Sequence, residues 1–244
     1  MATLSTTDQQ RIRDLRARDL FEAILGYGLI LSVIWTTNPL QRVLYWIALA
    51  TILLITLLSR EGLKTLGLGT RGLVTSLWIV GLALVLAALA VGLAFRLHTL
   101  HRLFGQRPPL IAHVSGYLIW ALMQQFLINC YFLARFLRLT SRRWQGIALT
   151  ALLFSLAHIP NPLLTLLTFV WGVISCLLFL RYRNLYTLGV AHGILGLCLA
   201  VTVPDHIHRH MRVGLGYLHY HQPLPSGDSF NGIMRPTAYR PLHG

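Results

Sequence analysis

The feature that most constrains this chain is a succession of apolar runs, each near the length of a bilayer and separated by a few polar or turn-forming residues. Water is absent from the bilayer interior, so a spanning segment must pair its own backbone N–H and C=O groups, and a helix of roughly 20 apolar residues does so. Such runs fall near 20–36, 40–58, 73–95, 114–134, 145–158, 163–180 and 185–203, the first and fifth being short. Between them lie Asn38-Pro39, Ser59-Arg60-Glu61-Gly62, Pro108-Pro109, Ser141-Arg142-Arg143, Pro160-Asn161-Pro162 and Arg181-Tyr182-Arg183-Asn184, all turn or charge signals. Composition agrees: 55% of the 244 residues are hydrophobic and 11% charged, more apolar surface than a water-soluble fold of this size can cover. The expected architecture is all-α, a polytopic membrane bundle of about seven transmembrane helices.

A net charge of +14 raises the question of nucleic acid, but the basic residues are scattered among short loops instead of forming one stripe. Their distribution reads better as orientation, because Lys and Arg accumulate in cytoplasmic loops. The N-terminus and the second, fourth and sixth loops hold 4, 3, 4 and 2 basic residues, against 1, 3 and 0 in the alternate loops. This favours a cytoplasmic N-terminus and a tail on the far side, although the tail adds 4 Arg of its own. The expected partners are the lipid bilayer and other membrane proteins, with no nucleic acid. The expected location is the bacterial inner membrane.

The chain divides into three parts. Residues 1–19 interleave Arg11, Arg13, Arg16 and Arg18 with Asp14 and Asp19, as an interfacial helix would. Residues 20–203 form the membrane domain, and 204–244 a tail rich in His, Pro and Gly. The first apolar run lacks a small-residue cleavage site, so no cleaved signal is expected. Cys130, Cys176 and Cys198 all fall inside predicted spans, where free thiols pack as small apolar groups.

Function must come from polar groups inside apolar spans, which are costly there. Gln124, Gln125 and Asn129 lie in the fourth span, His158 ends the fifth, and His192 sits in the seventh. Gln125 and Asn129, four apart, share a helix face. The order Gln124-Gln125-xxx-Asn129, Phe154-xxx-His158 and His192-xxx-Gly196 resembles the three motifs of the CPBP intramembrane proteases (CAAX-processing and bacteriocin-processing, also called Abi). That family reads EExxxR, FxxxH and HxxxN or HxxxD on successive core helices. The surrounding text, Ala151 to His158 and Leu185 to His192, agrees, and the resemblance covers about 112–203.

The resemblance implies a protease in which a glutamate, helped by histidines and an asparagine, activates water against a peptide bond. Apart from Phe154 and the two histidines, this chain departs from every motif residue. Gln124 and Gln125 stand for the glutamates, Asn129 for the arginine and Gly196 for the asparagine or aspartate, leaving His158 and His192. A glutamine amide neither takes nor returns a proton in the working pH range, as a general base must. No carboxylate occurs between Glu61 and Asp205 to replace it. Asp205 lies 13 residues past His192, about 20 Å along a helix. Two histidines alone also make a thin zinc site, since catalytic zinc usually takes three protein ligands. Cofactors are left open, with a metal not favoured.

Two readings of the central polar residues therefore stand side by side: interhelical hydrogen bonding with neutral, packed imidazoles, or a surviving divergent active site. A third constellation lies in the tail, where His206 and His210 would share a helix face and His206, His208 and His210 would align on an extended chain, as transition-metal ligands do. The sequence thus carries three functional readings. One is a CPBP-fold protein that has lost proteolysis and serves as a binding or assembly subunit, its old cavity holding a substrate-like helix, a lipid or a pigment. The others are an active divergent endopeptidase and a metal-handling membrane protein.

Overall fold

The computed structural model describes residues 5–59, 62, 64–70, 72–100 and 110–220. They form α1 (Thr6–Ile34), α2 (Leu40–Leu58), α3 (Leu73–Arg96), α4 (Leu110–Phe126), a π-helical segment (Leu127–Phe132), α5 (Leu133–Leu139), α6 (Arg143–Leu156), α7 (Pro162–Tyr182) and α8 (Leu185–Thr202). A short α9 (Asp205–His208), a 3₁₀ turn and α10 (Gly214–Leu218) follow. α4, the π segment and α5 run as one rod, so the bundle has the seven expected helices, all-α among the described residues. Five of them are long and apolar enough to cross a membrane.

The two exceptions are informative. α6 has only 14 residues, about 21 Å of helix, and ends inside the bundle. α1 is one unbroken helix of 29 residues, running from the charged N-terminal segment straight into the first apolar run. Its continuity has an electrostatic cause. Glu22 bonds Arg18 one turn earlier and the guanidinium of Arg135 on α5, at 3.0 and 2.7 Å, while Asp19 pairs with Arg138 at 2.8 Å. The fourth rod therefore extends beyond the expected 114–134. Arg135, counted with a loop from sequence, is buried against Tyr131, its guanidinium 3.8 Å from the ring centre.

Helix boundaries follow local chemistry. Ser5, Asn161 and Asn184 cap the starts of α1, α7 and α8 by accepting backbone N–H bonds, with Pro162 in the first turn of α7. Gly72, ahead of α3, has φ +77, and a Cβ there would overlap the Tyr182 carbonyl, so only glycine fits.

Packing depends on small residues along α8. Gly189 and Gly193, four apart, let the Leu122 and Leu118 side chains of α4 lie directly on the α8 backbone, the close approach by which membrane helices associate without a hydrophobic driving force. On its other side α8 meets α3, tied by the Ser76 and Thr187 hydroxyls at 3.0 Å. α6 and α7 pack through Gly172 against the Ala151 backbone. A buried core of Ile128, Leu133, Phe154, Cys176, Phe179, Leu185 and Leu188 joins these helices. Cys130, Cys176 and Cys198 are free thiols.

The segment after α8 is not a loose tail. Asp205–Leu218 folds back onto the bundle: the buried Asn161 amide donates to the carbonyls of His208 and Arg212, at 2.8 and 3.1 Å, and the Gly214 N–H donates to Ile159. Residues 221–244, the remainder of the tail, lie outside the described residues.

Candidate functional site

The site is built where the fourth rod, the end of α6, and α8 meet. Gln125 and Asn129 flank the start of the π-helical segment, and both are buried. Such segments within α-helices occur frequently at functional sites. The Asn129 amide nitrogen donates to the Gln125 backbone carbonyl and to the Gln125 side-chain oxygen, at 3.2 and 3.0 Å. A backbone carbonyl only accepts, which fixes the orientation of the Asn129 amide. The side-chain bond then leaves the Gln125 NH₂ group facing Nδ1 of His192, 3.0 Å away. His192 Nδ1 is thus an acceptor, and its proton sits on Nε2.

His158 has the opposite tautomer. It lies just past the end of α6, and its Nδ1 is 2.7 Å from the Phe154 carbonyl. Since that carbonyl must accept, Nδ1 carries the proton and Nε2 presents a lone pair. Straight, perpendicular helices would hold the two histidines at different depths. The short α6 and the turn Ala157 to Asn161 bring them together, and both rings stand edge-on to Phe154 with centroids 4.9 and 6.0 Å away.

Gln124, His158, His192 and Gly196 line one cavity of about 580 Å³ between α3, α4, α7 and α8. A smaller cavity of about 150 Å³, toward α1 and α2, shares Gln124 and His158 as its wall. Gln125 and Asn129 lie behind that wall, among residues outside either lining. Tyr117 and Trp171 also line the larger cavity, and neither was singled out from sequence. Tyr117 explains Gly196: a Cβ there would collide with its hydroxyl, so the phenol fills the space that a side chain at 196 would need. Among the described residues, no Asp, Glu, Lys or Arg lines either cavity.

The tail histidines do not converge. His206 is exposed, and His210 pairs with Asp205 at 2.7 Å. His208 is fully buried, its Nδ1 accepting from the Met211 N–H and its Nε2 donating to the Val203 carbonyl at 2.8 Å. A ring engaged at both nitrogens has no lone pair for a metal. Among the described residues, no three His, Cys, Asp or Glu are grouped as a metal site requires; His221 lies outside them. Burial, and the bond from its hydroxyl to Asp205, raise the Tyr220 phenol above its ordinary value.

Residues 107–198, the segment that carries α4 to α8, match the family of Rce1-like type II CAAX prenyl endopeptidases. Over this segment the chain is similar to the CPBP, or CAAX-protease, family. The helical bundle is that of a polytopic membrane protein. No curated protein and no solved structure matches the chain. At the centre of the matched segment stands the Gln125–His192 amide contact.

Proposed function

We propose that this CPBP-family protein does not hydrolyse peptides and serves as a binding or assembly subunit of a membrane complex, with its N-terminus in the cytoplasm of a bacterial inner membrane. The observation that carries this reading is the bond from the Gln125 amide to His192 Nδ1. A glutamate at 125 would accept a proton from Nδ1 and leave Nε2 free as a base. The amide reverses this: it donates to Nδ1, so Nε2 holds the proton and cannot take one from water. His158 keeps a lone pair, but with no carboxylate among the described residues of the cavity lining, none of them supports the charge it would acquire there.

The test is reconstitution of the purified full chain with helical and prenylated-peptide substrates, beside its His158→Ala variant. Turnover of both proteins at the no-enzyme background is expected. Loss of a general base costs about 10²–10⁴-fold; cleavage above background that disappears in the variant overturns the reading. Copurification from the native membrane should return discrete partner proteins. For orientation, cysteine labelling from outside should modify His219→Cys but not Ser141→Cys, both exposed positions; the opposite pattern reverses the topology.

A further inference from the structure

We infer that the larger cavity is a binding site for a neutral lipid alcohol, whose hydroxyl sits between Nε2 of His158 and Nε2 of His192. This deepens the proposed binding function and rests on it. The cavity volume of about 580 Å³ lies within the range of about 300–1,000 Å³ in which small-molecule sites fall.

Three observations select the ligand class. The first is polarity. The walls are Leu86, Leu164, Leu195 and Leu199 with other apolar groups, and no charged residue among those described lines the cavity. An ionised head would be desolvated there without a counter-charge. The second is access. Leu86 on α3 and Leu167, Val170 and Ile174 on α7 line the cavity and are also exposed on the flank of the bundle, the surface that faces the bilayer. An apolar ligand can therefore enter laterally from the membrane.

The third observation, the arrangement of protons, decides the head group. The Gln125–Asn129 clamp leaves His192 with a donor at Nε2, and the Phe154 carbonyl leaves His158 with an acceptor at Nε2. Neither Nε2 has a bonded partner among the described residues. A hydroxyl is the smallest group that meets both at once, accepting from His192 and donating to His158. A ketone or ether leaves the His158 lone pair unmatched, and a hydrocarbon leaves both groups unmatched, each at the cost of a buried polar atom. The Tyr117 phenol lines the same space and can bond the same oxygen.

Trp120 and Trp171 line the cavity and report occupancy. The experiment uses the full chain in phosphatidylcholine nanodiscs and dibromostearyl alcohol as a brominated quencher of tryptophan. The controls at equal mole fraction are its methyl ether and dibromostearic acid. The alcohol should give saturable quenching with an apparent affinity about tenfold or more above the ether, the loss expected for one unmatched buried group. His158→Phe and His192→Phe should each reduce the alcohol to the level of the ether. The alcohol–ether comparison is made on the unaltered protein, so it stands whether or not the variants fold. Equal quenching by alcohol and ether, or an alcohol preference that survives both variants, overturns the inference, as does preference for the acid. Peptide cleavage in the reconstitution assay defeats the proposed function instead. Absent cleavage without alcohol preference defeats this inference alone.

Discussion

The fourth rod carries two polar networks, and they are built in opposite ways. At its α5 end, Arg135 and Arg138 meet Glu22 and Asp19 of α1 in charged pairs at 2.7 and 2.8 Å. Toward its middle, Asn129, Gln125 and His192 form a neutral chain of amide and imidazole at 3.0 Å per link. The same bundle thus buries carboxylates where each has an arginine. In the middle it presents amides and no arginine. The difference teaches that the neutral cavity is a local specification and not a limit of the fold: a charged site needs counter-charges, and among the described residues the buried arginine–carboxylate pairs lie at the α1–α5 junction.

Breaking the charged end should have the largest effect. Arg135→Ala removes a buried guanidinium and leaves Glu22 facing only the exposed Arg18. A loss of about 3–5 kcal/mol is expected, read as a lower unfolding temperature in nanodiscs. Stability unchanged within about 1 kcal/mol would mean that Glu22 escapes to water. Charging the neutral end should come next. Gln125→Glu places a carboxylate at a fully buried position beside His192, costing about 1–3 kcal/mol. Nitrogen NMR of the ring should then show the proton moved from Nε2 to Nδ1. Cleavage should not return, because on the proposed correspondence Asn129 and Gly196 still stand where the family motif has arginine and asparagine or aspartate. An unchanged His192 tautomer would refute the proposed proton arrangement.

Two smaller effects sharpen the contrast. Asn161→Ala deletes the amide that holds the His208 and Arg212 carbonyls and caps α7. It should cost about 1–2 kcal/mol and speed hydrogen exchange over Asp205–Leu218; exchange equal to that of the unaltered chain would show that the strap is held by something else. Asp19→Asn should cost the least, about 0.5–1 kcal/mol, because its partner Arg138 is 43% exposed and screened by solvent. High salt should erase much of that difference. A deficit as large as that of Arg135→Ala would place both pairs in the same buried environment.

The polar members of the site were legible because polarity inside an apolar run is conspicuous. His158, His192 and Gln125 stand out in that way, and their spacing carried the family resemblance. The seven helices were equally legible, since backbone pairing in lipid leaves few alternatives. Asn161 was visible only as part of a Pro-Asn-Pro turn, and no sequence signal separates a turn residue from a buried clamp. Tyr117 was hidden for a related reason: an aromatic residue in a membrane helix is ordinary until the glycine opposite it is known.

The sequence by itself determined that this chain is a membrane bundle whose central polar residues are amides and imidazoles, because hydropathy and residue identity are properties of single positions and short runs. Only the tertiary structure decided that α1 continues through its charges and that Arg135 is buried. It also decided that Asp205–Leu218 closes over the bundle, with His208 committed to the backbone. Above all it set the protons on His158 and His192, for a ring's tautomer is fixed by whichever donor or acceptor packs against it from another turn or helix.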